Sequence, residues 1–307
     1  MSPFKKNAIT FGITFCISII VFGIIAFILM EMFFGTDEKK VDTPAILSRE
    51  ETTAAQMTDK VDGNSFAFLL VGTDRNYNTP SDSQIKAASL IVVDFCCETG
   101  NVVYIPIPAV TLVENNGKTV PIGELYDKQN VGLLAQKAQG LTGINIGYYA
   151  AANLIMFERT LDTLGPVEYP VTVDMKQEDA ENDYSINFKK GTTVNTAEDT
   201  IKLLRYKGDS YQNRIVRNCD YIRTLMKTYT SESYKPKASD MFSTLLEYII
   251  TDFEEDELMK YIDTIYKYSS FNEVTVTYPG TYDNESNPKK FTADYSAAVE
   301  EINEYVK

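Results

Sequence analysis

FAFLLVGTDR, residues 66–75, is where the fold can first be read. Its opening seven residues, FAFLLVG, form a short unbroken apolar run that ends in glycine. A run of that length without polar alternation predicts a buried strand. Downstream, ASLIVVDF (88–95) and NVVYIPI (101–107) read as paired strands, with CCETG as the turn and Gly100 at its end. VGLLAQKAQGL (131–141) has helical spacing, and GYYAAAN (147–153) reads as a strand. LIMFERTLDTL (154–164) reads as an amphipathic helix stopped by Gly165-Pro166, packing on the core with Glu158 and Arg159 in solvent. VEYPVTVD (167–174) and YSINFKKG (184–191) read as strands. Asn195 with Glu198 resembles a capping box opening a helix at 196–206. Asp209 with Gln212 offers another, opening a helix that runs to 230. Helices near 239–252 and 254–268, a strand EVTVTYP (273–279) and a helix near 293–306 follow. Strands mixed with helices predict an α/β chain, a three-layer α-β-α sandwich around a mixed sheet.

Composition narrows the chemistry. The 307-residue chain carries a formal charge of −14, which argues against general binding to nucleic acid, since that rests on many Lys and Arg contacts with phosphate. Any anion site must be local. There is no histidine, which excludes Ser-His-Asp and Cys-His nucleophile systems and His-containing zinc sites. The four cysteines, Cys16, Cys96, Cys97 and Cys219, show neither metal-knuckle spacing nor a disulfide framework.

Residues 9–30, ITFGITFCISIIVFGIIAFILM, carry no charge. As a helix they span about 33 Å, enough for a bilayer core. Lys5 and Lys6 precede the run, while Glu31, Asp37 and Glu38 follow it. The positive-inside rule then predicts a cytoplasmic tail at 1–8, an anchor at 9–35 and everything beyond outside the cytoplasm. Residues 36–62 read as a polar stalk. The main domain is expected at 63–235, with 236–307 a helical extension completing or flanking it.

The arginines are unevenly placed. The chain has seven, and LLRYKGDSYQNRIVRN (203–218) holds three of them, Arg205, Arg214 and Arg217. On a helix, Arg214, Arg217 and Asn218 share one face, while Ile215, Cys219, Ile222 and Met226 form an apolar stripe. Guanidinium groups stay charged and offer planar forks that suit phosphate. A solvated face paired with the abundant carboxylates explains the same spacing.

From Phe66 to about Thr230 the chain resembles the LytR-CpsA-Psr family of cell-envelope proteins. FAFLLVGTDR is similar to the family's first strand and its Gly-Thr-Asp turn, and NVVYIPIPAVTLV to the strand that normally ends in Ile-Pro-Arg-Asp-Thr. LTGINIGYYAAANLIMFERTLDTLGPVEYPV is similar to the central segment. RYKGDSYQNRIVRN resembles the arginine-rich block, with Arg205, Asp209, Arg214, Arg217 and Asn218 in register. The resemblance implies a long apolar pocket for a polyprenyl chain with arginines at its mouth for the pyrophosphate. It implies transfer of a glycopolymer, such as teichoic acid or capsular polysaccharide, from its lipid carrier to peptidoglycan, assisted by Mg2+ on aspartates. On this reading Asp74, Arg214 and Arg217 are catalytic and Asp74 is the metal ligand. Arg75, Lys86, Arg205, Lys207, Arg214, Arg217 and Asn218 hold the pyrophosphate.

The chain departs from the family pattern on one side of that site. Lys86-Ala87-Ala88 stands where Arg-x-Asp is usual, with Asp82 six residues too early. Pro108 is followed by Ala109 and Val110 instead of Arg-Asp. Pro121-Ile122-Gly123 replaces Lys-Ile-Asn, Lys207 replaces an arginine and Asn218 a glutamine. Losing one partner of a charge-stabilising set commonly costs orders of magnitude in rate. Two functional classes stay open, a divergent glycopolymer transferase and a non-catalytic relative that binds lipid pyrophosphate or wall polymer as a scaffold or regulator. An anchored structural protein with an empty pocket is the bland third reading.

Overall fold

The computed structural model describes residues 66–73, 85–179, 184–283, 285 and 289–307. The anchor expected at 9–35, the stalk, Asp74, Arg75 and Asp82 lie outside the described residues. Among the described residues, no helix is long and apolar enough to cross a membrane.

FAFLLVG does form a strand, β1 (Phe66–Thr73). It pairs antiparallel with β2 (Ala87–Cys96), which pairs antiparallel with β3 (Asn101–Ile107). On its other edge β1 pairs parallel with β6 (Tyr148–Ala152). Two short strands close the sheet: β11 (Ile250–Thr251) antiparallel to β6, and β12 (Asn272–Thr275) parallel to β3. The six-stranded sheet is thus mixed, in the order β11-β6-β1-β2-β3-β12.

Both faces are covered, which explains the unbroken apolar run. Ala67, Leu69 and Val71 pack with Leu134 and Ala138 of helix α1 (Val131–Thr142) and Ile302 of α8 (Tyr295–Val306). Phe66 and Phe68 face the opposite layer. That layer contains Cys219 of α4 (Tyr211–Tyr229), Phe242 of α5 (Ala238–Tyr248) and Ile265 of α7 (Ile262–Ile265), with the short α6 (Glu255–Lys260) before it. Each fully buried side chain of this kind contributes about 1.5–3 kcal/mol. A third cluster joins Val167, Tyr169, Met175, Ile186 and Leu203 beside the sheet. It lies among α2 (Leu154–Leu164), α3 (Ala197–Arg205) and two small two-stranded ribbons, β7 (Tyr169–Pro170) with β10 (Thr193–Val194) and β8 (Met175–Asp179) with β9 (Tyr184–Phe188).

Several expectations change. The strand expected at 167–174 pairs only over Tyr169–Pro170, because the chain turns into β8 at Met175. The helix expected to 252 stops at Tyr248, and Ile250–Thr251 joins the sheet beside Ala150 and Ala151. Two hairpins are additions: β4 (Leu112–Asn115) with β5 (Lys118–Pro121), and β13 (Gly280–Asp283) with β14 (Lys290–Ala293). Residues 236–307 add two strands to the main sheet as well as helices, one of which helps cover a face of it.

Candidate functional site

One face of α4 presents Arg214, Asn218, Ile222, Leu225 and Tyr229 to a single cavity of about 340 Å³. Steps of three and four residues align these side chains along the helix. From Arg214 to Tyr229 the stripe runs about 22 Å. The facing wall is β1, which lines the cavity from Phe66 to Thr73, about 23 Å of strand. Phe157 and Leu164 of α2 and Met241, Phe242 and Leu245 of α5 form the sides. The cavity is therefore long and mainly apolar.

Its charge is concentrated at one end. Arg205, Lys207 and Arg214 line the cavity, together with the amides Asn153 and Asn218, and no carboxylate is among the described lining residues. This end lies where α4 begins and where β1, β3 and β6 finish, since those three strands point the same way. Ligands of open α/β sheets bind outside such carboxyl ends, and a helix N-terminus adds positive potential.

Local sequence explains why the cations gather. Helix α3 starts at Thr196, whose side chain accepts from the Asp199 amide, and α4 starts at Ser210, which accepts from Asn213. Both caps sit one residue after the expected Asn195 and Asp209. Asp209 is otherwise engaged: its Oδ2 accepts from Arg217 Nη1 at 2.5 Å. Arg217 is buried, and its Nε and Nη2 donate to the carbonyls of Leu203 (3.1 Å) and Tyr206 (2.6 Å). With its amide oriented to satisfy its neighbours, Asn218 donates to the carbonyls of Leu204 (3.3 Å) and Arg214 (3.2 Å). The end of α3 and the loop to Asp209 are thereby clamped to α4, which brings Arg205 and Lys207 to the same cavity as Arg214.

The expected site residues thus separate. Arg205, Lys207, Arg214 and Asn218 come together at the cavity. Arg217, expected to touch the pyrophosphate, does not line the cavity, and three of its nitrogens are taken by protein acceptors. Lys86, expected there too, pairs with Glu124 Oε1 at 2.6 Å and does not line the cavity, whereas Ala88 does. Arg223 pairs with Asp220 and, at 3.4 Å, with Glu273.

The side depleted of charge is closely packed. Ala87 and Ala109 are buried, and the Gly123 amide donates to Ala109 O at 2.8 Å. A Cβ on Gly123 would lie 2.6 Å from Ala87 O and 2.9 Å from Ala109 O. Sequence reading missed Tyr211, which sits in the same corner. Its phenol faces the Arg214 guanidinium and the backbone amides of Ala109 and Val110; burial raises its pKa, and those three groups pull it back. No spacing signal announces this contact, because loop 108–110 is distant in sequence. Cys219 is buried and free, with burial pushing its thiol up to about 12, which makes it inert.

The site is thus a long, mainly apolar cavity with its cations at one end, set in an α/β fold around a mixed sheet. The chain belongs to the LytR_cpsA_psr family, whose pattern matches residues 31–305. It is 20% identical over 219 residues to the polyisoprenyl-teichoic acid–peptidoglycan teichoic acid transferase TagU of Bacillus cereus, covering 70% of this chain and 68% of TagU. The crystal structure of B. subtilis TagV superposes with a TM-score of 0.66 at 19% identity, covering 80% of this chain and 98% of TagV. TagT bound to LIIa-WTA superposes with a TM-score of 0.62 at 16% identity, covering 81% and 92%.

Proposed function

We propose that this protein takes up a polyisoprenyl-pyrophosphate-linked glycopolymer and passes the glycopolymer to peptidoglycan. The carrying observation is the polarity of one cavity, apolar along α4 and bearing three cations and no described carboxylate at its mouth. The lipid lies along the Ile222–Leu225–Tyr229 stripe, and the pyrophosphate meets Arg205, Lys207 and Arg214. Forked guanidinium donors match phosphate oxygens, and Lys207 adds a point charge. As a peptidoglycan hydroxyl bonds to the glycopolymer-side phosphorus and loses its proton to solvent, the P–O bond to the carrier-side phosphate breaks, polyisoprenyl phosphate leaves, and cations already in place stabilise the negative charge that grows on the phosphate oxygens. The name of TagU, a polyisoprenyl-teichoic acid–peptidoglycan transferase, supports the choice of substrate and acceptor. The uncharged run at 9–30 behind Lys5 and Lys6 supports a single-pass anchor with the domain outside the cytoplasm.

Magnesium is implied by the family resemblance, and it takes oxygen ligands. Among the described residues no group of three or more acidic or thiol side chains could hold a metal ion. Asp209 Oδ1, buried without a partner, is a single ligand beside the clamp. The described residues do not by themselves fit a metal site, and no step here runs through one.

The packed Ala87–Ala109–Gly123 corner favours a second reading, in which the protein holds the lipid-linked polymer without transferring it. Purified full-length protein incubated with a lipid-linked sugar pyrophosphate and peptidoglycan fragments tests both. A transferase releases polyisoprenyl phosphate, and Asp74→Asn abolishes that release. Tight retention with no release supports the binder. Absence of retention removes both.

A further inference from the structure

Arg214 is the cation nearest the start of α4, and the C-terminal hairpin braces it. Its Cζ lies 4.8 Å over the Tyr211 ring. Tyr211 in turn meets Tyr282 of β13 edge-on, with ring centroids 6.0 Å apart at 70°. The Tyr282 hydroxyl donates to Gln212 Oε1 at 2.8 Å, so the hairpin grips the first turn of α4 from two sides. The hairpin is itself fixed: Tyr282 packs on Phe291 at 4.7 Å, and the Phe291 amide donates to Val110 O at 3.0 Å. Val110 belongs to the loop whose amides face the Tyr211 phenol.

We propose that Tyr211 is a positioning residue for Arg214, holding its guanidinium over the cavity mouth, with Tyr282 as the brace behind it. This rests on the reading of the cavity as a lipid-pyrophosphate site. A flexible arginine loses side-chain entropy each time it orders on a ligand. An aromatic platform bears much of that cost before the ligand arrives. Loop 108–110 supplies no charged side chain, since Ala109 and Val110 stand there. Its contribution is instead the Val110 carbonyl, which anchors Phe291 behind Tyr282. This gives residues 280–293 a part in the site although, among the described residues, none of them lines the cavity.

The test uses the full-length protein in detergent with two probes, geranylgeranyl pyrophosphate and the uncharged alcohol geranylgeraniol. Wild type is expected to prefer the pyrophosphate, and Arg214→Ala to weaken pyrophosphate binding about tenfold while leaving the alcohol unchanged. Tyr211→Ala is expected to weaken the pyrophosphate alone by about threefold to fivefold. Tyr211→Phe should recover part of that loss, because the ring remains. The double variant Tyr211→Ala/Arg214→Ala should bind no worse than Arg214→Ala, since both changes remove one device. Additive losses, an unchanged Tyr211→Ala, or equal loss of both probes would overturn the positioning role while the wild-type preference keeps the site. A wild type that binds both probes alike would remove the site and this inference with it.

Discussion

Arg217 Nη1 and Asp209 Oδ2 lie 2.5 Å apart, while Arg214, one helical turn earlier, faces the cavity. Two arginines of one short block therefore do different work. Arg217 holds segment 203–209 against α4, and Arg214 lines the cavity where the proposed ligand would bind.

Arg217→Ala is expected to destabilise the fold by about 3–5 kcal/mol, because it leaves a largely buried Asp209 carboxylate and the Tyr206 carbonyl without their donor. Denaturant unfolding measures this. A loss under about 1 kcal/mol would mean the clamp is dispensable.

Arg214→Ala is expected to leave stability within about 0.5 kcal/mol and to weaken retention of a polyisoprenyl pyrophosphate at least about tenfold. Chelator should not release the lipid, since side-chain cations provide the grip. Co-purification with and without chelator, read by mass spectrometry, checks both. Retention that collapses with chelator would make a metal, not Arg214, the principal anchor.

Gly123→Ala is expected to cost about 1–3 kcal/mol, because its Cβ would press on the carbonyls of Ala87 and Ala109. Backbone oxygens cannot swing aside as a side chain does, so loop 108–110 must shift. The variant should therefore also weaken pyrophosphate binding, through Val110, whose carbonyl anchors Phe291 and with it Tyr282 behind Tyr211. Unchanged melting and binding would show that this corner yields without strain.

Asp94 gives a pH signature. It sits in β2 between Val93 and Phe95, and burial pushes its carboxyl from 3.8 up to about 7. The folded chain keeps a proton that the unfolded chain has lost between those two values. Stability from this group accordingly falls as pH rises from about 4 to 7 and is level above that. Asp94→Asn should match wild type near pH 4 and exceed it at pH 8 by up to roughly 4 kcal/mol. Parallel unfolding curves at the two pH values decide it, and a difference independent of pH would count against the assignment.

Much of the fold was legible. Strands at 66–72, 88–95 and 101–107 and the helix at 154–164 were readable because apolar run length and periodicity report burial locally. The β4–β5 hairpin was missed although Asn116-Gly117, both at positive φ, is a strong hairpin signal. Helix caps slipped by one residue, in one case because Asp209 is drawn to Arg217. The strand read at 273–279 corresponds to β12, which starts one residue earlier and stops at Thr275, but its place beside β3 and the two-residue β11 were not readable, because their partners are remote in sequence.

By itself the sequence determined the layered α/β class, the apolar stripe of α4 and the enrichment of arginine beside it, since each is written in neighbouring residues. Tertiary structure alone decided which cation faces the cavity, which is locked onto Asp209, and that a C-terminal tyrosine stands behind Arg214. Spacing along a helix fixes angles about its axis; what lies across from each angle is set by chain segments far away in sequence.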